Sequence, residues 1–288
     1  MNFTAFSLLA AISFGAAFTS CKKSDKGTDI LSQSDSKNVF YGNDTAQNMD
    51  IYLPAGRDTA KTRVLLFIHG GSWNSGDKNE FTDAIAAVRV KLPDYAMFNI
   101  NYRLAKNDAT RFPVQMNDIE SAIHFIESKA GEYKVNVNKV GLIGASAGAH
   151  LALLKAYKNN ADGKVKAVVD LFGPSDLTDL YINHPIPAQA RPVLVNFLGA
   201  TPATNPQIYY QASPINFVNS QSVPAKIFHG AEDVVVPIAQ SNALTAKLLA
   251  NNVKVDTTIY KGEGHGWQGN NLIDTYQKTI DFITQNVR

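Results

Sequence analysis

A serine within a run of small residues is the first group in the sequence that could do chemistry. The pattern Gly-Ala-Ser-Ala-Gly at residues 144–148 follows an apolar run at 140–143 and opens a helical pattern that extends to Tyr157. A nucleophilic serine on a turn between strand and helix has a strained backbone, and its neighbours must be small to avoid clashes. We therefore expect Ser146 to be a nucleophile that attacks a carbonyl carbon.

A serine hydroxyl is a poor nucleophile at neutral pH and needs a base, for which histidine is suited. His265 is the best candidate because it lies in a glycine-rich loop, residues 262–267, after the last predicted strand. The other histidines lie in helical patterns, in a proline-rich segment or at strand ends, and they are His124, His150, His184, His69 and His229. The two at strand ends, His69 and His229, remain alternatives because either could face the serine.

The base in turn needs a carboxylate that fixes its tautomer and stabilises its charged form. Asp233 follows the predicted strand 225–228, so it lies at the carboxyl end of that strand. Glu232 is adjacent, and spacing alone does not exclude it. The chain order Ser146, Asp233, His265 differs from the orders found in chymotrypsin and subtilisin.

Attack on a carbonyl creates an oxyanion, and one preorganised donor is typically worth about 3 kcal/mol of barrier. Residues 69–73, His-Gly-Gly-Ser-Trp, follow the predicted strand 64–68. The glycines of this loop let backbone N–H groups approach a substrate closely, and the N–H of Ala147 lies directly after the nucleophile. We expect this loop and Ala147 to form an oxyanion hole.

The elements that must position these residues alternate between short β-rich runs and helical patterns from about residue 39, which indicates a mostly parallel sheet with helices on both faces. The predicted strands are 64–68, 96–102, 140–143, 165–172, 225–228 and 253–260. The predicted helices are 81–90, 116–129, 147–157, 239–250 and 272–286. Residues 177–214 contain six prolines, so we expect a small cap-like excursion there rather than a long helix.

Composition limits the possible functions of the chain. Its 288 residues are 45% hydrophobic and 18% charged, which is enough apolar material for one catalytic domain at 39–288. A net charge of +2 without a run of like charges argues against a nucleic-acid partner and favours small or uncharged substrates. The sequence has no metal-ligand cluster and no dinucleotide fingerprint, so we predict neither a metal nor a cofactor.

The N-terminal segment has the composition of an export signal. Residues 1–20 form an apolar stretch suited to a secretory signal peptide, and Cys21, the only cysteine, follows it. This arrangement resembles a bacterial lipoprotein signal, in which cleavage before the cysteine leaves it free for lipid attachment. We expect an exported lipoprotein held at a cell-envelope membrane, with ordinary secretion or a retained anchor as alternatives. Residues 21–38 are polar and are predicted to be an unfolded tether.

Several motifs resemble the α/β-hydrolase superfamily, and more narrowly the bacterial carboxylesterases with an HGG-x-W oxyanion loop. These are related to hormone-sensitive-lipase-like esterases, feruloyl or acetylxylan esterases and kynurenine formamidases. The matching motifs are YLP at 52–54, HGGSWNSGDK at 69–78, NYRL at 101–104, GASAG at 144–148, FGPSDL at 172–177, SPI at 213–215, HGAEDVVVP at 229–237 and GHGW at 264–267.

The resemblance implies Gly71, Ser72 and Ala147 as oxyanion donors, and Asp233 rather than Glu232 as the acid. Hormone-sensitive-lipase-like enzymes usually carry a third glycine where this chain has Ser72, and they have an N-terminal helical cap that a polar tether cannot supply. The resemblance therefore implies a more open site than theirs.

The expected activity is hydrolysis of carboxylic esters through an acyl-enzyme, with short-chain acyl or aromatic substrates that include acylated carbohydrates. Trp73 and Trp267 flank the oxyanion loop and His265, and we expect both to wall an acyl or aromatic pocket. Two alternatives differ in class: an amidase of the formamidase type, which would use the same triad, and a non-catalytic binding protein on the same scaffold.

Overall fold

The computed structural model describes residues 31–288. The predicted signal peptide, most of the predicted tether and the predicted lipidation site Cys21 lie outside the described residues.

A central sheet organises the chain. Within residues 31–288 its eight strands are β1 (Ser34–Phe40), β2 (Asn48–Leu53), β3 (Arg63–Ile68), β4 (Tyr95–Ile100), β5 (Val140–Ala145), β6 (Val165–Leu171), β7 (Ala225–Gly230) and β8 (Val255–Tyr260). They lie side by side in the order β1-β2-β4-β3-β5-β6-β7-β8. β2 pairs antiparallel with β1 and β4, and all the other pairs are parallel. The predicted mostly parallel sheet of an α/β-hydrolase fold is confirmed.

Helices cover both faces of this sheet. They are α1 (Thr82–Arg89), α2 (Val114–Ser128), α3 (Ala130–Tyr133), α4 (Ala147–Tyr157), α5 (Leu177–Asn183), α6 (Pro187–Leu198), α7 (Pro206–Ala212), α8 (Ala239–Ala250) and α9 (Gly269–Asn286). Short 3₁₀ helices lie at Lys78–Phe81, Asp108–Thr110 and Pro214–Phe217. In residues 31–288 we find no helix with the length and apolar character to cross a bilayer.

Two apolar cores lie on opposite faces of the sheet because successive strand residues point to opposite sides. On β3, for example, Leu66 belongs to the core that also contains residues of α2, α4 and α8, whereas Leu65 belongs to the core that also contains residues of α1 and α9. Both side chains are fully buried. Burial on both faces explains why the parallel strands appear in the sequence as nearly continuous apolar runs.

The first strand corrects one prediction. The sequence predicts an unfolded tether over residues 21–38, but residues 34–38 belong to β1. The side chains of β1 are almost all exposed, so the strand contributes little to the core. Its backbone pairs with β2, while Lys37 contacts Asp50 at 2.9 Å and Asp35 accepts two hydrogen bonds of 2.8 Å from Arg89. Backbone pairing and ion pairs, rather than burial, hold this polar edge strand.

The proline-rich excursion folds into helices α5, α6 and α7, which have 7, 12 and 7 residues. Pro187 and Pro206 begin two of them, at a position where a helix needs no N–H donor. Leu194, Phe197 and Tyr209 are buried beneath the excursion and anchor it to the main core. The predicted small cap without a long helix agrees with this arrangement.

Candidate active site

Ser146 lies at the turn where β5 ends and α4 begins. Its φ of 52° and ψ of −119° form a conformation that non-glycine residues rarely adopt. A Cβ atom on Gly144 would overlap the carbonyl of Gly148, and one on Gly148 would overlap the carbonyl of Ile68. The small residues around the serine are therefore required by close backbone approach, as the sequence pattern predicts.

The side chain of His265 joins the serine to the acid. Its Nε2 lies 2.9 Å from Ser146 Oγ, and its Nδ1 lies 2.7 Å from Asp233 Oδ2. The ring is 20% exposed, whereas the carboxylate side chain of Asp233 is completely buried. The structure therefore brings together the three side chains that the sequence predicts as nucleophile, base and acid.

Asp233 is held by four donors. Oδ1 accepts hydrogen bonds from the backbone N–H groups of Val235 and Val236, at 2.8 and 2.9 Å. Oδ2 contacts His265 and also His229 Nε2, which lies 3.3 Å away. Burial by itself raises the pKa of Asp233, but hydrogen bonds from His229 and His265 outweigh it and hold the pKa well below its usual range. The acid is ready to stabilise an imidazolium.

The residues that the sequence left open as alternative acid or base do not occupy those positions in the structure. Glu232 is exposed, so it is not the buried partner of His265. His229 is fully buried, with Nε2 2.7 Å from the carbonyl of Val236 and Nδ1 2.7 Å from Ser241 Oγ. His69 is buried and stacks on Tyr102 with ring centroids 4.4 Å apart. The contact between His229 and Asp233 is not predicted from the sequence, although residues four positions apart around a turn can lie this close.

The predicted oxyanion loop lies beside the serine. Gly71 and Ser72 have φ values of 97° and 53°, and a Cβ on Gly71 would overlap the carbonyl of Ser75. Within residues 31–288, neither Gly71 nor Ser72 donates its backbone N–H to a backbone carbonyl. Ala147 is the first residue of α4, where backbone donors have no partner in the helix. These N–H groups are free to bind an oxyanion.

A cleft of about 170 Å³ opens at Ser146. Ser72 and Ala147 line it, whereas Gly71 does not. Most of its remaining wall is apolar and comes from the oxyanion loop, the cap helices and the loops after β6 and β7, including Trp73, Pro174, Leu180, Val193, Leu194 and Val236. Its small volume and apolar lining leave room for a small apolar group.

The two predicted pocket tryptophans lie in different places. Trp73 lines the cleft at Ser146, as expected. Trp267 instead lines a separate cavity of about 270 Å³ between α1 and α9, where its Nε1 donates to Thr275 Oγ1 at 2.8 Å. Trp267 therefore does not line the cleft at Ser146, because its ring packs on Phe172 and Tyr260.

Comparison with known proteins agrees with this geometry. The sequence profile of the BD-FAE family matches residues 49–248, which is more than half of the chain. The chain belongs to the BD-FAE family. The matched range includes Ser146 and Asp233 and ends before His265. The resemblance to bacterial carboxylesterases of the α/β-hydrolase superfamily is thereby confirmed.

Relatives of this BD-FAE protein are named as esterases. It is 28% identical to esterase LipC of Mycobacterium tuberculosis over 80% of its own length and 30% identical to esterase LipQ of the same organism over 70%. The chain spans 59% and 53% of the length of these two relatives. The solved structure of a truncated carbohydrate esterase from gut microbiota superimposes with a TM-score of 0.74 at 26% identity, covering 88% of this chain and 95% of that one.

Proposed function

We propose that this BD-FAE protein is a serine hydrolase of carboxylic esters that works through an acyl-enzyme. The observation that carries the proposal is the continuous contact from Ser146 Oγ through the His265 ring to Asp233 Oδ2, over distances of 2.9 and 2.7 Å. A nucleophile and base within hydrogen-bond reach, with the base oriented by a third group, is the arrangement that acyl transfer needs. The esterase names of its relatives support the same activity.

Each atom of this site has a role in the proposed reaction. Ser146 Oγ attacks the ester carbonyl while His265 Nε2 takes its proton, and Asp233 stabilises the imidazolium. The carbonyl oxygen becomes an oxyanion that accepts hydrogen bonds from the N–H groups of Ser72, Ala147 and Gly71. Collapse of this intermediate expels the alcohol, which takes the proton from His265. A water molecule then attacks the acyl-serine by the same route, which releases the carboxylic acid and restores Ser146.

The proposed substrates are esters of short-chain or aromatic acids, including acyl groups carried on carbohydrates. A cleft of about 170 Å³ is smaller than the roughly 300 to 1,000 Å³ of typical ligand sites, so it favours a small acyl group. The similarity to the solved carbohydrate esterase supports a sugar as the alcohol part of the ester. A net charge of +2 favours uncharged substrates.

A substrate screen with a covalent probe tests this proposal. Purified protein is incubated with p-nitrophenyl acetate and butyrate, a feruloyl ester, acetylated xylan and N-formylkynurenine, and a phosphonate ester labels the nucleophile. We expect turnover of esters and one phosphonyl group on Ser146, identified by peptide mass spectrometry, with Ser146→Ala losing both. Turnover of N-formylkynurenine alone would favour the amidase alternative. Absence of both labelling and turnover would favour the non-catalytic alternative.

We further propose that the protein is exported and carries a lipid on Cys21. The support is the apolar segment 1–20 followed by the only cysteine of the chain. The test compares membrane and soluble fractions of cells that produce the wild type or Cys21→Ser. We expect the wild type in the membrane fraction and the variant in the soluble fraction. Equal membrane association of both proteins would indicate a retained anchor instead.

A further inference from the structure

A buried histidine outside the triad contacts the oxyanion loop. His150 lies on α4, one turn after the nucleophile, and its backbone N–H donates to the carbonyl of Ser146 at 3.1 Å. Its imidazole is completely buried. The indole Nε1 of Trp73, the residue that follows Ser72 in the oxyanion loop, donates a hydrogen bond of 3.1 Å to His150 Nδ1. One side chain thus connects the nucleophile helix to the loop that supplies the oxyanion donors.

The second ring nitrogen of His150 reaches the cap. Its Nε2 lies 2.6 Å from the carbonyl of Ala212, the last residue of α7. Because an indole only donates and a carbonyl only accepts, the ring must be neutral with its proton on Nε2. Burial lowers the pKa of His150 to about 4, against a weaker opposing effect of the bond to Ala212, so this form persists at neutral pH. Both nitrogens of the ring are used in positioning.

An aromatic cluster completes this connection. The ring of Trp73 stacks on Phe197 of the cap helix α6, with centroids 4.3 Å apart and planes at 9°. His150 meets both rings edge-on, at 5.1 Å from Trp73 and 5.8 Å from Phe197. Three elements that lie far apart in sequence, the oxyanion loop, the nucleophile helix and the cap, therefore meet at His150.

We propose that His150 is a positioning residue that holds the oxyanion loop against Ser146 through the indole of Trp73, an inference that rests on the proposed esterase function. Ser72 and Trp73 both have positive φ values, 53° and 60°, and such conformations persist only where surrounding contacts enforce them. The indole is the side chain adjacent to the Ser72 donor, so fixing it fixes the direction of that N–H. Misplacement of about 1 Å in such a site can lower a rate about 100-fold.

Substitutions at both ends of the hydrogen bond test this role. We expect His150→Leu to lower kcat by about 10- to 100-fold on p-nitrophenyl butyrate while KM stays within about threefold, because oxyanion contacts act mainly in the transition state. The rate of phosphonate labelling of Ser146 should fall in parallel. His150→Asn places an acceptor near the position of Nδ1 and should recover part of kcat. His124→Leu, at an exposed site on α2, is the matched control and should behave as the wild type.

Trp73→Phe provides the second variant, which keeps an aromatic ring for stacking and removes the indole donor together with part of a ring that lines the cleft. It should also lower kcat, and adding it to His150→Leu should cost little more, because the hydrogen bond is already lost. If His150→Leu does not fold, Trp73→Phe decides: a lower kcat with KM within about threefold of the wild type supports the positioning role, whereas a raised KM with unchanged kcat would show that Trp73 only lines the cleft. Fully additive losses, or an unchanged kcat in folded His150→Leu and Trp73→Phe, would overturn the inference.

The two tryptophans of the chain give a readout that is independent of turnover. In protein labelled with ¹⁵N-tryptophan, we expect His150→Leu to shift the indole N–H signal of Trp73 and to accelerate its hydrogen exchange. The signal of Trp267, which donates to Thr275, should stay in place. A lower kcat with an unmoved Trp73 signal would overturn the inference. If the wild type neither hydrolyses esters nor takes the phosphonate, the proposed function fails and the positioning role falls with it.

Discussion

His265 Nδ1 lies 2.7 Å from Asp233 Oδ2, and the carboxylate in this pair is completely buried. Replacing Asp233 with Asn removes the charge that stabilises the imidazolium and places an amide where it can favour the wrong tautomer. We expect Asp233→Asn to lower kcat by about 10⁴-fold, as the loss of a triad acid does elsewhere. Steady-state kinetics on p-nitrophenyl butyrate measures this effect.

Glu232 provides the control for this prediction because it is adjacent in sequence and exposed. Glu232→Gln should keep kcat within about twofold of the wild type, since surface substitutions away from a site have small effects. A severe loss in Glu232→Gln with a mild one in Asp233→Asn would move the acid to Glu232.

The nucleophile and the base should behave as one unit. We expect Ser146→Ala and His265→Ala each to lower kcat by up to about 10⁶-fold, and the double variant to be hardly slower than either. The reason is that a base without its nucleophile, or a nucleophile without its base, retains little of the mechanism. Single-turnover assays with thermal unfolding as the control for folding measure this. Losses that multiply in the double variant would show that the two side chains act independently.

Much of this site could be predicted from sequence because its signals are local. The strand, the small residues and the helix around Ser146 are contiguous, and the order of acid and base follows the strands that precede them. The contact between Trp73 and His150 could not be predicted in the same way, since the two residues are 77 positions apart and only folding brings them together. Trp267 shows a similar limit, because its neighbour His265 contacts the serine while its own ring packs on Phe172 and lines a different cavity.

The sequence does not predict the polar strand β1, and the physical reason is different. Sequence patterns reveal elements that bury apolar side chains, and β1 buries almost none. An edge strand needs only a partner for its backbone, which β2 supplies. Such pairing depends on the register of the neighbouring strand β2, and it leaves no periodic apolar signal in the sequence of β1.

Asp170 on β6 is a buried acid that the proposed mechanism does not use. Its Oδ1 accepts a hydrogen bond of 2.7 Å from the backbone N–H of Gly173, while Oδ2 has no partner among residues 31–288. Burial raises the pKa of Asp170 to about 7, against smaller opposing effects of Gly173 and His229. An aspartate in the unfolded chain has a pKa near 4. Between about pH 4 and about pH 7, Asp170 therefore stays protonated in the native protein, whereas the same group in the unfolded chain has lost its proton.

Stability should therefore fall with rising pH because of this group. Its favourable contribution is complete below about pH 4 and is lost as the pH rises through about 7, a change on the order of 4 kcal/mol in the free energy of unfolding. Asp170→Asn cannot ionise, so its stability relative to the wild type should increase between pH 4.5 and pH 8. Urea unfolding of both proteins at the two pH values measures the difference. A difference that does not change with pH would show that Asp170 is not the titrating group.

The last prediction concerns the length of the acyl chain. The cleft at Ser146 measures about 170 Å³, and the cap helices α5 and α6 border it. Each buried methylene contributes about 0.8 kcal/mol, so a tunnel would make activity rise steadily with chain length, whereas a small cleft gains nothing once it is full. We expect kcat/KM on p-nitrophenyl esters to peak between acetate and butyrate and to fall sharply by laurate.

A variant of the cleft wall sharpens this test. Val193 of α6 lines the cleft and is only partly buried, so Val193→Ala should widen the space at small cost to stability. We expect the variant to move the optimum to a chain longer by one or two carbons, because the added space accepts further methylenes. His124→Leu, at a position that does not line the cleft, should keep the profile of the wild type. A wild-type profile that climbs through laurate would mean that the cap forms a long acyl tunnel, and the short-chain proposal would have to be abandoned.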